Sequence, residues 1–250
     1  MFKGRTDLQV EEVNLGFKYE IDKIVDGMNI KKCNLDEKSA KIIGKNIGIY
    51  YTIDNIDYYK KSKKIINEIA NILNELFDEM KEIHNILIVG LGNKDITPDS
   101  LGPLVIHNIE VNRHLEKEKK YSVSALEPGV MGKTGMESSE IIKAIVSKFK
   151  PDLVLVIDAL ACNNPNRMCN SIQISTAGIN PGAGVGNFRK EISKKVIGCE
   201  VIAIGIPTVC DIEVFSHEID NSYYVTPNNI DQSMEILSNI ISKAINTVLL

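Results

Sequence analysis

Two aspartates stand where chemistry could be done. Asp158 follows Leu153-Val-Leu-Val-Ile157 directly, so a carboxylate emerges from the longest purely apolar stretch of the chain. Asp99 lies between Pro98 and Ser100, just ahead of a helix predicted to begin near Pro103. A helix cap is the structural reading of Asp99. An ion pair is the structural reading of Asp158, but a charge at the end of a buried strand favours function. If the two strands are sheet neighbours, the carboxylates converge at one crevice although 59 positions separate them. Two carboxylates sharing a proton can activate water and protonate a leaving amine, the division of labour of aspartic hydrolysis.

Other chemistry is poorly supported. Gly90-Leu-Gly-Asn-Lys-Asp95 breaks the dinucleotide fingerprint at Asp95, and Gly182-Ala-Gly-Val-Gly-Asn187 breaks it at Asn187. No Lys-Ser/Thr pair completes a phosphate loop, so these glycines are read as sharp turns or close backbone approaches. His84, His107, His114 and His217 lack metal-ligand spacing, and the five cysteines form no C-x-x-C pair. Cys162 has no neighbouring histidine and is read as an ordinary reduced thiol. No metal and no cofactor is expected.

The elements that must position the aspartates can be read from periodicity. Residues 61–83 carry Ile65, Ile66, Ile69, Ile72, Leu73, Leu76, Phe77 and Met80 at helical spacing. Ile86 to Val89, Ser122 to Leu126, Leu153 to Ile157, Ser171 to Ser175 and Val201 to Ile206 read as strands. Thr134-Gly-Met-Glu137 has capping-box spacing and is predicted to open a helix to about Lys148. Thr226-Pro227 is predicted to cap the last helix, whose stripe is Ile230, Met234, Leu237, Ile241, Ala244 and Val248. Strand–helix alternation predicts an α/β fold: a three-layer α/β/α sandwich with a mostly parallel central sheet. The region to about residue 84 is charged and mixed, and the α/β core is expected over 85–250.

Composition agrees with one globular unit. The 250 residues are 44% hydrophobic and 25% charged with a net charge of -4, which excludes disorder, and no apolar run spans a membrane. Slight acidity argues against a non-specific grip on nucleic acid, and the Lys60–Lys64 and Lys117–Lys120 clusters read as solvated faces. Met1-Phe-Lys-Gly-Arg-Thr-Asp lacks an apolar signal segment, so a cytoplasmic location is expected.

Taken in order, several blocks make the chain resemble the germination protease (spore protease) family. They are Gly90-Leu-Gly-Asn93 with Thr97-Pro-Asp-Ser-Leu-Gly-Pro103, Pro128-Gly-Val-Met-Gly-Lys-Thr-Gly135 and Val156-Ile-Asp-Ala-Leu-Ala161. Ile172-Gln-Ile-Ser175, Gly184-Val-Gly-Asn187 and Val201-Ile-Ala-Ile-Gly-Ile-Pro-Thr208 continue the series. The resemblance implies an endopeptidase of the spore core that degrades small acid-soluble, DNA-protecting spore proteins during germination. It implies a fold shared with hydrogenase-maturation proteases, Asp99 and Asp158 as the proposed catalytic pair, and a homotetramer. It also implies a zymogen that cuts itself: Arg5, Thr6, Asp7 and Leu8 match the family's autocleavage motif. A propeptide of residues 1–7 and a single peptidase domain of residues 8–250 follow. The chain departs from the family pattern at Asn163, Thr176, Ala183, Glu127 and a short stretch between about Ile212 and Val225. Two alternatives remain at this stage: a metal-assisted maturation-type protease in which Asp99 and Asp158 are ligands with a remote histidine, and a non-catalytic binding module.

Overall fold

The computed structural model describes residues 5–12, 19–80, 82–115, 119–186, 189–211 and 223–250. In chain order, α1 (Gln9–Glu12) precedes the hairpin β1 (Ile21–Val25) and β2 (Met28–Leu35), then α2 (Glu37–Ile43), β3 (Gly48–Asp54) and α3 (Tyr58–Met80). The next elements are β4 (Asn85–Gly90), α4 (Leu101–His107), β5 (Ser122–Leu126), α5 (Met131–Thr134), α6 (Ser138–Phe149) and β6 (Leu153–Cys162). The chain closes with β7 (Ser171–Ser175), α7 (Lys194–Ile197), β8 (Glu200–Asp211), β9 (Tyr224–Val225) and α8 (Ile230–Leu249).

One central sheet runs β1-β2-β3-β7-β8-β6-β4-β5, with β9 paired to the end of β8. Strands β8, β6, β4 and β5 are mutually parallel, whereas β7, β3, β2 and β1 extend the sheet antiparallel. The strand pleat sends alternate residues to opposite layers. Leu153, Leu155 and Ile157 of β6, with Ile86 and Ile88 of β4, pack under α3, α4 and α8. Val154 and Val156, with Leu87 and Val89, pack under α6 and α7. Burial on both faces is why the parallel strands read as continuous apolar runs. The α/β/α layering expected from strand–helix alternation is therefore present.

Three local expectations are corrected. Among the described residues, the region before residue 84 holds three strands that the mixed charge pattern hid. Lys31 and Lys32 interrupt β2, although Asp26 and Gly27 turn the β1–β2 hairpin with φ of 52° and 78°. Thr134 does not cap the following helix: it ends α5, Gly135 stops that turn at φ 71°, and α6 starts at Ser138 with no side-chain cap bond. Thr134 Oγ1 instead accepts from Met136 N at 3.2 Å. Thr226 does not cap α8 either, because its hydroxyl donates to Thr208 O at 2.8 Å and α8 begins after Asn229.

Candidate active site

Asp158 lies within β6 and faces the α6/α7 layer, in register with Gly205 of β8. It is 5% exposed, and its Oδ1 accepts from Ala159 N at 2.9 Å. Burial pushes its carboxyl well above the usual carboxylate range, and the nearby charges of Asp99 and then Asp7 push it further.

Asp99 reaches the same place by a different route. It closes a single 3-10 turn, Thr97–Asp99, between β4 and α4. Its bond goes back along the loop: Asn93 N donates to Asp99 O and to Asp99 Oδ2, both at 2.9 Å, so Asp99 is no cap for α4. Three glycines make this path possible. A Cβ on Gly90 would overlap the Gly102 carbonyl, one on Gly102 would overlap Leu91, and one on Gly92 would overlap the Asp99 carbonyl. Gly92 also adopts φ 112°, which L side chains rarely reach. The G-x-G here brings helix α4 tight against the end of β4. Thr208 Oγ1 then donates to Pro98 O at 2.7 Å and ties the turn to β8. Burial raises the Asp99 carboxyl to about 6; the Asn93 amide and the positive charge of Arg189 oppose that rise.

Both aspartates line one cavity of about 440 Å³, walled by α5, the start of α6, β6, the 181–185 loop, Thr208 and Tyr224. A third carboxylate is in it. Asp7 lines the same cavity, and its oxygens are held by two backbone amides: Oδ2 by Ala161 N at 2.8 Å and Oδ1 by Gly184 N at 2.7 Å. Asp7 N donates to Ala161 O at 2.9 Å, so the segment adds to the exposed end of β6. A Cβ on Gly184 would overlap the Asp7 carboxylate, so only a glycine admits that side chain. Burial raises the Asp7 carboxyl, opposed by the Ala161 amide, the charge of Lys45 and the Gly184 amide. Lys45 Nζ donates to Thr6 O at 2.9 Å.

The residues after Asp7 are pinned from the other side. Leu8 is fully buried with Val10, Leu160, Cys162 and Cys210, a burial worth about 2 kcal/mol. Gln9 N donates to Gln173 Oε1 of β7 at 2.7 Å. Glu11, also buried, accepts from Asn163 N at 2.7 Å, from Asn164 N at 3.1 Å and from Arg167 at 3.3 Å. Arg167 grips Asp54 of β3 with two bonds of 3.1 and 3.2 Å. Bidentate geometry of this kind orients both partners.

The structure thus brings Asp7 of the Arg5, Thr6, Asp7, Leu8 stretch into one cavity with Asp99 and Asp158. Arg5 and Thr6 line a neighbouring hollow, and Leu8 is buried in an apolar cluster. Sequence reasoning treated the stretch and the pair as separate features. Asp7 as a cavity carboxylate, Arg189, Lys45 and the Glu11–Arg167–Asp54 cluster were not read from the sequence. Residues 1–4 of the expected propeptide, Asn187, His217 and most of the short stretch from Ile212 lie outside the described residues. Among the described residues, no group of three or more His, Cys, Asp or Glu side chains is disposed to hold a metal ion. Also among them, no helix is long and apolar enough to cross a membrane. Cys162 keeps its thiol protonated, since its contact with Cys210 and burial both raise it.

Comparison with known proteins adds to this geometry. A family model described as germination protease matches residues 4–221. A germination protease of Clostridium perfringens strain SM101 is 40% identical over 240 residues, covering 87% of this chain and 74% of the relative. One from Caldanaerobacter subterraneus is 42% identical over 235 residues, 86% of this chain and 71% of that protein. Among solved structures, a [NiFe] hydrogenase maturation protease from Thermococcus kodakarensis superposes at a TM-score of 0.42 with 21% identity, over 69% of this chain and 97% of that one.

Proposed function

We propose, from the premise that this chain belongs to the germination protease family, that it is an endopeptidase which first cuts its own Asp7–Leu8 bond. Its later substrates are the small acid-soluble proteins of the spore core. The observation that carries this reading is that Asp7, the residue before the proposed cut, lines the same cavity as Asp99 and Asp158 and is held there by two backbone amides. A substrate segment of the same kind would find the same donors: two amides for an acidic side chain, and Lys45 for the preceding carbonyl.

The two catalytic candidates differ in proton affinity, and that difference assigns their roles. Asp99, raised only to about 6, is the carboxylate of the pair near neutral pH, and the more deeply buried Asp158 is its proton-bearing member. Asp99 takes a proton from water as the water oxygen attacks the Asp7 carbonyl carbon. Asp158 gives its proton to the Leu8 nitrogen as the C–N bond breaks. Product ionisation and exchange with solvent reset the pair. Proton transfer by positioned groups of this kind contributes about 10²- to 10⁴-fold each. The assembly implied for the family, a homotetramer, is addressed by sedimentation of the processed chain.

The test is the intact mass of the purified full chain over prolonged incubation. Loss of residues 1–7, abolished in both Asp99→Asn and Asp158→Asn while their circular dichroism stays native, is the expected result. Continued processing in either variant would overturn the assignment. A spore-protein digest by the processed chain extends the test to substrates in trans.

A further inference from the structure

Glu11 has no part in the proposed chemistry, yet its carboxylate bonds one side of the proposed cut directly and reaches the other through a single hydroxyl. Oε2 accepts from Thr6 Oγ1 at 2.5 Å, and that same hydroxyl oxygen accepts from Leu8 N at 3.0 Å. One bridging hydroxyl therefore separates the Leu8 nitrogen from a buried carboxylate. Cutting Asp7–Leu8 would carry Thr6 away with residues 1–7 and leave that nitrogen as a free amine. We infer that Glu11 is a built binding site for a primary α-ammonium, the new N-terminus at Leu8, and that their ion pair locks the processed chain. This inference rests on the proposed cut.

Four observations support the exchange of a hydroxyl for an ammonium. First, removal of Thr6 takes a hydrogen-bond donor from a carboxylate that is 1% exposed, and an acceptor left short in a buried place is costly. Second, Glu11 and Asp54 share one guanidinium, that of Arg167, while Lys45 is bonded to Thr6 O and Asp211 adds a further carboxylate beside Cys210, so an added cation at Glu11 meets surplus negative charge. Third, the Leu8 nitrogen is held close by, because the Leu8 side chain is fully buried and Gln9 N is bonded to Gln173. Fourth, the reaction supplies the cation. Water adds across the bond, the amide nitrogen gains two protons to become an ammonium, and the new Asp7 α-carboxyl loses one. The positive product stays beside Glu11. The negative product leaves a cavity already lined by carboxylates.

The experiment follows the same processed chain. The full protein is allowed to lose residues 1–7, confirmed by intact mass, and the Leu8 α-amine is then reacted with 2-pyridinecarboxaldehyde at a fixed pH near 7.5. The expected rate is at least about tenfold lower in the native chain than in denaturant, one pKa unit of added proton affinity being a tenfold fall in free amine. Processed Glu11→Gln should recover most of the denatured rate, whereas Glu11→Asp should stay slow. If the variants fail to fold, a crystal structure of the processed wild type decides: Leu8 N within about 3.2 Å of Glu11 Oε2 is expected. Rapid native labelling, or a Leu8 nitrogen turned to solvent, overturns the lock and leaves the proposed protease intact. Absence of any mass loss overturns both.

Discussion

In the parallel half of the sheet, β8, β6, β4 and β5 end on the same side, and their ends and following loops carry Asp99, Asp158, Ala161 and Thr208. In the antiparallel half, β7 and β3 present Gln173 and Asp54, and the α2–β3 connection presents Lys45. None of these three bonds the Asp7–Leu8 amide itself; Gln173 and Lys45 hold the N-terminal segment directly, and Asp54 does so through Arg167 and Glu11. One half thus supplies a crevice for chemistry, because parallel strands leave a gap outside their carboxyl ends. The other supplies a lateral wall against which a peptide can be fixed. The difference teaches that the proposed reaction draws on both, and that here they come from oppositely built parts of one sheet.

The comparison is broken most directly through the chemical half. Asp158→Asn is expected to lower self-processing by about 10³-fold while keeping the fold. Its stability should depend less on pH than that of the wild type. A carboxyl raised in the folded state is neutral there and ionised when unfolded at intermediate pH, so its contribution to stability is full below the ordinary value of about 3.9 and is lost as pH rises through the folded value. For Asp99 that loss is centred between the ordinary value and about 6. Denaturant midpoints from pH 4 to 8 would show whether the Asn variant removes the upper part of the slope.

The holding half is tested by Arg167→Met, which strands two buried carboxylates. A loss of about 3 kcal/mol in unfolding free energy is expected, with slower processing because Glu11 no longer anchors the segment. Normal stability would show that the cluster is better solvated than its burial suggests. A smaller effect is expected from Arg189→Gln. Removing that positive charge should raise Asp99 above about 6 and move the acidic limb of the pH–rate profile upward, with little change in melting temperature. The smallest is Gly27→Ala at the far edge of the antiparallel half. Its φ of 78° strains an alanine by about 1 kcal/mol, and processing should be untouched.

Much of the chemical half was legible in the residues. Buried parallel strands advertise themselves as apolar runs, and β5 has the bounds that its pattern predicts. Of the holding half only β7 was equally legible, because β2 alternates buried and half-exposed positions with two lysines among them. Lys32 is accommodated by pairing with Glu75 of α3, a contact that no periodicity announces. The misread caps share one cause: a Thr-x-x-Glu or Thr-Pro pattern specifies a helix start only if nothing nearer competes for the hydroxyl. Here Met136 N and Thr208 O do compete.

Asp99 and Asp158 were singled out by residue type and local context, since a charge directly after an apolar run needs no tertiary knowledge to be noticed, although the strand itself runs past Asp158 to Cys162. The family resemblance added Arg5-Thr6-Asp7-Leu8 to them. Their meeting was decided only by the tertiary structure. Strand order places β6 between β8 and β4, and close glycine contacts bring Asp99 over the sheet. The end of β6 then receives a segment 154 positions earlier in the chain. Local periodicity records which face of an element is buried. It does not record which distant element will cover that face, because that depends on the sum of many weak packing choices made at once.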